Sequence, residues 1–417
     1  MIEPSEGLEA WSWTKAGHLL VEPVDAARGS ADALPQPWCA EQQQALQAAI
    51  SRDPGSAESW RLASALMHHP DGSSVQPLAD QYRRELAGDT VTYVVNRNLN
   101  FTNHCLKHCS FCAFRRDPGE HGSYWYSFEQ LQTRAADASD LGASELCIQG
   151  GLNPEARLDG SALAYYVALL KALRQAAPGL HLHAFSPQEL LFIAHQDGVA
   201  LQRVIDELRI AGLGSVPGTA AEVLTNRVRR RLCPEKLSAR AWCAVILQVH
   251  RTGLASTATL MAGHLENTAD RAAHLLTLVA LQQQAWLHGT PGFSEFVLLP
   301  FIGALAPASL RQWVGRDQPD QQAMLLLTAQ ARLLLGSWFV NHQPSWVKLT
   351  LSGATEALRW GCNDLGGTLM EESITTMAGA QGGTCQTPAA LEAAAASIQR
   401  PFRCRSTLYG TVPSNGC

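Results

Sequence analysis

The sequence predicts an α/β chain folded as a closed (β/α)8 barrel of the TIM type, with a small N-terminal helical cap and a short C-terminal extension. Three observations predict it. Between about Thr90 and Gly383, short β-branched or apolar runs alternate with longer amphipathic stretches, the rhythm of repeated βα units around a parallel sheet. Eight such runs occur, enough to close a barrel. Each run leads into a polar or glycine-rich group, and the loops after the strands are where such barrels carry their active sites.

The elements follow in order. Residues 1–86 are expected to form the helical extension, 87–385 the barrel and 386–417 a C-terminal helix and tail. From Glu41 to Leu86 the periodicity is helical, broken at "DPGS" from Asp53 and at "HPDGSS" from His69. Trp11, Trp13, Trp38 and Trp60 are the expected anchors of this cap, because aromatic side chains bury large areas. Strands are expected at "VTYVV" from Val91, "ELCIQ" from Glu145, "HLHAF" from His181 and "LGSV" from Leu213. Four more follow at "STATLM" from Ser256, "EFVLLP" from Glu295, "SWVKL" from Ser345 and "NDL" from Asn363. Helical stretches such as "SFEQLQTRAADASDLGA" and "GSALAYYVALLKALRQAAPG" separate them. After Gln386 an Ala-rich helix gives way to an end expected to be loose.

The loop after the first run contains Cys105, Cys109 and Cys112 in "NFTNHCLKHCSFCAF". A C-x3-C-x2-C spacing can ligate three irons of a [4Fe-4S] cube and leave the fourth open, whereas a cluster that only carries electrons takes four thiolates. The next cysteine is Cys147. An open iron is the radical S-adenosylmethionine (SAM) arrangement. A zinc site using His104 or His108 is the competing reading, although structural zinc usually pairs two short hooks across a spacer. Three unrelated thiols are the other alternative, against which their crowding speaks.

The later loops bring "QGGLNP" (Gln149, Gly150, Gly151), "SPQEL" (Ser186, Glu189) and "PGTAAE" (Gly218, Thr219, Glu222) to the same rim. "MAGHLE" (His264, Glu266), "PFIG", "TLSG" and "GGTLMEE" (Gly366, Gly367, Glu371) complete it. Glycines at 150 and 151 let backbone approach a ligand closely. Glu189 and Glu222 could grip a ribose or an amino group, or cap a helix N-terminus. His264 is either a substrate ligand or an ordinary loop residue.

Composition narrows the class. The other eight of the eleven cysteines show no regular spacing, which argues against a secreted disulfide framework and for a cytoplasmic enzyme. The N-terminus lacks a basic n-region, and no run approaches the ~18 apolar residues of a membrane span, so no membrane is expected. A net charge of -5 without a basic block gives no footprint for nucleic acid.

The stretches "YVVNRNLNFTNHCLKHCSFCAF", "ELCIQGGLNP", "HLHAFSPQEL", "AGLGSVPGTAAEVL", "GFSEFVLLPF" and "NDLGGTLMEESITTMAGA" resemble the FO synthase subunit 2 family of radical SAM enzymes, over about residues 90 to 383. The resemblance implies a radical-SAM barrel with a [4Fe-4S] cluster on Cys105, Cys109 and Cys112. It implies transfer of the 4-hydroxybenzyl group of L-tyrosine to 5-amino-6-(D-ribitylamino)uracil, on the way to the deazaflavin of coenzyme F420. Phe111, Gln149, Gly150, Gly151, Ser186, Glu189 and Glu222 are expected around the cluster and SAM and His264 and Glu371 toward substrate, and no catalytic side chain is singled out. The resemblance implies FO synthase subunit 1 and a ferredoxin- or flavodoxin-type electron donor as partners. Relatives in the futalosine route to menaquinone share the cysteine loop and remain the alternative; an acidic residue more often stands there where this chain has Gly366. The chain departs from the family pattern at Asn153, Ala262, Thr350 and Thr376, where histidine, an aromatic, glycine and arginine are usual.

Overall fold

In a computed structural model the chain is described over residues 7–23, 37–219 and 221–412. Ten strands form: β1 (Val91–Val94), β2 (Asn96–Asn100), β3 (Glu145–Gln149), β4 (His181–Ala184), β5 (Ser215–Val216), β6 (Ala255–Ala262), β7 (Phe293–Pro300), β8 (His342–Pro344), β9 (Asp364–Gly367) and β10 (Phe402–Cys404). β2 to β8 lie side by side in chain order as one parallel seven-stranded sheet, and β1 lies between β9 and β10 in a second parallel sheet.

The two sheets share one continuous extended segment, since β1 and β2 are separated by Val95 alone. β9 bridges the remaining gap. Thr368 N–H donates to Val94 O at 3.0 Å and Asn98 N–H to Met370 O at 3.0 Å on one side, while Asn363 N–H donates to His342 O at 3.1 Å on the other. With β1 and β2 counted as one, eight strand positions close the barrel. β6 is buried at every position, as a strand covered on both faces is, and from Ala258 to Ala262 only Thr259 interrupts its apolar residues. The outer helices start where the sequence supplies caps: the side chains of Ser127, Ser161, Ser186, Ser238, Asn267 and Asp320 each accept from a backbone N–H of the first turn.

The N-terminal segment forms helices Ala10–Leu19, Ala40–Arg52, Ala57–His68 and Gly72–Ala87, broken at the two expected turns. They pack on the barrel helices Ala239–Arg251, Thr268–Leu287 and Gln321–Leu335. Trp13 and Trp38 are buried, whereas Trp11 stays on the surface beneath the Arg251 guanidinium, 4.5 Å from its ring centre.

Three local expectations are corrected. The cysteine loop leaves β2, not the run at Val91, because polar "NRNLN" pairs with β3 through its backbone and apolar content gave no sign of it. "SWVKL" is helical: β8 ends at Pro344, which has no N–H to extend the ladder, and Trp346 opens helix Trp346–Ala357 with its indole N–H on Gly367 O at 2.9 Å. The tail is not loose up to Val412. After helix Pro388–Ser397 it forms β10, and Arg405 enters the barrel interior, its backbone N–H bonded to Tyr93 O at 2.8 Å. The last residues, 413–417, lie outside the described residues.

Helix Trp346–Ala357 breaks at Thr350, whose φ of 63° and ψ of 165° belong to a region that glycine alone adopts without strain. Glycine is also the residue that the resemblance noted in the sequence leads one to expect at position 350. Thr350→Gly is therefore expected to stabilise the fold by about 1 kcal/mol, raising the apparent melting temperature by ~1–3 °C. A lower melting temperature in a thermal scan would show that the threonine is not strained.

Candidate active site

A cavity of about 430 Å³ runs down the barrel axis from the loops at the C-terminal strand ends to a polar floor. Cys105, Cys109 and Cys112 line it together with Phe111, Gln149, Gly150, Gly151, Ser186, Glu189 and Glu222. All ten are expected site residues: Gln149 ends β3, Glu222 follows β5, and the other eight lie in or at the ends of the loops after β2, β3 and β4.

The cysteine loop is held mainly by its backbone. Asn103 bonds Gly122 O and Tyr124 N–H through its amide, at 2.9 and 2.8 Å. Cys105 N–H reaches Arg116 O at 3.3 Å, Leu106 N–H reaches Leu152 O at 3.1 Å, and Cys112 N–H closes a turn on Cys109 O at 3.1 Å. Burial pushes the Cys109 thiol up to about 12 and raises that of Cys105, the Lys236 ammonium opposing it in both. Among the described residues no three His, Cys, Asp or Glu side chains gather round a point where one metal ion would sit.

The paired glycines serve this loop. A Cβ on Gly151 would lie 2.2 Å from His104 O and 3.0 Å from the Cys105 Cβ, and one on Gly150 would lie 2.5 Å from the buried Phe101 ring. Gly151 N–H donates to Thr102 O at 2.8 Å. The space expected to admit a ligand is filled by the neighbouring loop, and Gly150 and Gly151 carry the contact between the second loop and the first.

Glu189 is a brace. Its carboxylate takes Ser186 N–H and Oγ–H, both at 2.7 Å, and Gly150 N–H at 3.0 Å, so it caps helix Pro187–Asp197 and fixes the glycine pair at once. Burial raises it to about 7 against those three donors. The Gln149 amide donates to Thr219 Oγ1 at 2.7 Å. Glu222 pairs with Lys236 at 2.7 Å; burial alone would raise its carboxyl, but the ammonium holds it below the usual range. Lys236 also lies 5.0 Å from the centre of the Phe111 ring.

Two expected substrate residues stand away from the cavity lining. Both His264 nitrogens are engaged locally: Nε2–H donates to Met261 O at 3.0 Å, and Nδ1 accepts Leu265 N–H at 2.6 Å. Glu371 pairs with Arg97 and Arg134 on the outside. Its neighbour Glu372 faces inward and accepts Thr375 N–H at 2.7 Å and Thr376 N–H at 3.1 Å.

Among the lining residues that sequence reasoning missed are Lys236, Lys348, Glu372 and Arg405. Glu372 was one step away in a double carboxylate, and Lys348 was legible as the single charge in apolar "SWVKL". Arg405 had no local signal. It forms the floor, pairing with Asp364 at 2.9 Å and Glu295 at 3.3 Å, and Tyr409 also bonds Glu295. Burial pulls the Lys348 ammonium down to about 8, opposed by Glu372 and Glu222.

Residues 99–278 match the Radical SAM superfamily model. The chain is 55% identical over 337 residues to the 5-amino-6-(D-ribitylamino)uracil--L-tyrosine 4-hydroxyphenyl transferase of Cyanothece sp., covering 81% of this chain and 88% of that protein. The protein of the same name from Synechococcus elongatus is 56% identical, covering 81% and 88%. Two solved structures share the fold. Methylornithine synthase superposes with a TM-score of 0.60 at 13% identity, over 87% of this chain and 97% of that one. The FeFe-hydrogenase maturase HydG from Carboxydothermus hydrogenoformans superposes with a TM-score of 0.62 at 12% identity, over 95% and 85%.

The Lys236–Glu222 pair is largely shielded from water, and removing one partner strands the other charge. Lys236→Met is expected to destabilise the cluster-free protein by about 3 kcal/mol, and adding Glu222→Gln should return a large part of it. Thermal unfolding of the two single variants and the double variant checks this; additive losses would contradict the coupling.

Proposed function

The chain belongs to the 5-amino-6-(D-ribitylamino)uracil--L-tyrosine 4-hydroxyphenyl transferase family within the radical SAM superfamily, and from that premise we propose that it transfers the 4-hydroxybenzyl group of L-tyrosine to the ribitylaminouracil. The observation that carries the reading is the meeting of three cysteines of one loop at the mouth of one barrel cavity, in a chain more than half identical to transferases of that name. The futalosine-branch alternative gains no support from these relatives.

The family implies a [4Fe-4S] cluster and SAM, and the residues present fit both. Three thiols in one loop, with no fourth cysteine in that loop, match a cluster that keeps one iron for SAM. When bound, the pair supplies a 5'-deoxyadenosyl radical able to take a hydrogen atom from the amino-acid substrate.

The protein's share is positioning. Cys105, Cys109 and Cys112 would hold the cluster, and the backbone of Gly150 and Gly151, braced by Glu189 and Ser186, would hold the methionine end of SAM. Phe111, fixed by Lys236, would offer a flat apolar face to the adenine, with Gln149 and Glu222 as polar neighbours. The loops after β6 to β9 are left for substrates, with Glu372 rather than Glu371 turned to them. The closed floor keeps water from the reacting carbons. FO synthase subunit 1 as the consumer of the product and a ferredoxin- or flavodoxin-type protein as electron donor complete the proposal, in the cytoplasm. No helix among the described residues is long and apolar enough to cross a membrane.

Anaerobically reconstituted protein should bind about four irons and four sulfides. Alanine at Cys105, Cys109 or Cys112 should abolish SAM cleavage, whereas Cys147→Ala, on the cavity wall, should keep the cluster. With SAM, reductant, tyrosine and the ribitylaminouracil, mass spectrometry should find 5'-deoxyadenosine and a hydroxybenzyl-uracil adduct. Intact tyrosine, with a futalosine-type substrate consumed in a parallel assay, would overturn the substrate assignment.

A further inference from the structure

The residues placed above around the cluster and SAM follow β2 to β5, and in the other half of the mouth one ammonium is left over. Most of the cations lining the cavity are committed: Arg115 to Asp117, Lys236 to Glu222, and Arg405 to Asp364 and Glu295. Lys107 stands on the cysteine loop itself. Lys348, on the turn after β8, lines the cavity and makes no ion pair and no side-chain hydrogen bond with any described residue. The carboxylates that act on it most are those of Glu372 and Glu222. The first receives two backbone N–H groups and the second is taken by Lys236, and neither stands at ion-pair distance from Lys348.

An ammonium kept in a cavity without a partner costs free energy unless a ligand supplies the counter-charge. Lys348 sits on a single helical turn that ends at the strained Thr350. We propose that Lys348 binds the carboxylate of the amino-acid substrate. This rests on the reading of tyrosine as that substrate. Of the two substrates only tyrosine carries a formal anion, because the ribitylaminouracil offers hydroxyls, amines and carbonyls. On the placement proposed for SAM, its carboxylate would be held by the loops after β2 to β5, in the opposite half of the mouth. A charge-assisted contact there fixes one end of tyrosine and leaves the phenol to reach toward the rest of the cavity.

Two measurements on the reconstituted holoenzyme test this. Lys348→Gln should raise the KM for tyrosine at least tenfold while the KM values for SAM and the ribitylaminouracil stay within twofold, and Lys348→Arg should recover most of the loss. In the unmodified enzyme, where folding of a variant is not at issue, succinimidyl acetate labelling of Lys348 should be slowed severalfold by tyrosine or by 3-(4-hydroxyphenyl)propanoate, and not by tyramine, which lacks the carboxylate. An unchanged tyrosine KM in Lys348→Gln with its visible cluster absorption intact, or equal protection by tyramine and the propanoate, would overturn the proposal. If the unmodified enzyme forms the adduct and Lys348 is not protected, the Lys348 assignment fails alone; if no adduct forms from tyrosine, the substrate reading on which it rests has failed.

Discussion

The site is built on the absence of a side chain at Gly151. At that point the loop leaving β3 lies against the carbonyl of His104 and the Cβ of Cys105, too close for a Cβ on residue 151, and two backbone bonds, Gly151 N–H to Thr102 O and Leu106 N–H to Leu152 O, fasten the two loops. Strand order makes the contact possible, because β2 and β3 are neighbours in register from Asn96 opposite Glu145 to Asn100 opposite Gln149. The loops that follow them therefore emerge side by side. Glu189 then locks the second loop from the next unit around the barrel, through Gly150 N–H and its own helix cap. Three consecutive βα units thus hold one set of cysteines, and any shift in one is felt by the others.

At the opposite end the barrel is closed by charge rather than by apolar packing. Arg405 comes from the tail, more than a hundred residues beyond β7, yet it sits among Asp364, Glu295 and the Tyr409 hydroxyl. Buried carboxylates at the strand starts would each be costly alone, and burial raises Glu295 to about 7 even with Arg405 beside it. The tail is thereby tied to the barrel by electrostatics, with β10 supplying the backbone pairing. A floor of this kind leaves the cavity accessible from the loop end, where the cysteines are.

Much of this was legible in the sequence. The βα rhythm located seven of the eight strand positions, since parallel strands buried on both faces read as plain apolar runs, and the cysteine spacing marked the loop. What failed did so for physical reasons. β2 is polar because its side chains serve the cavity and its neighbours, as with the Asn96 amide bonding Glu145 at 2.7 Å, so hydrophobicity could not reveal it. "SWVKL" reads as a short strand from its Trp-Val pair in the βα rhythm, but the ladder ends at Pro344 and the segment is helical. His264 and Glu371 were polar residues in the right loops, but a loop position does not fix which way a side chain turns. Arg405 could not have been found, because its partners are distant in the chain.

The most direct test of this account is Gly151→Ala, with iron, sulfide and SAM affinity measured on one anaerobically reconstituted sample. A methyl group there must push the His104 carbonyl and the Cys105 Cβ aside, so iron and sulfide content should fall well below that of the unmodified protein together with SAM binding. A full complement of iron and sulfide with only SAM affinity reduced would contradict it, showing that the glycine makes room for a ligand and not for the cysteine loop.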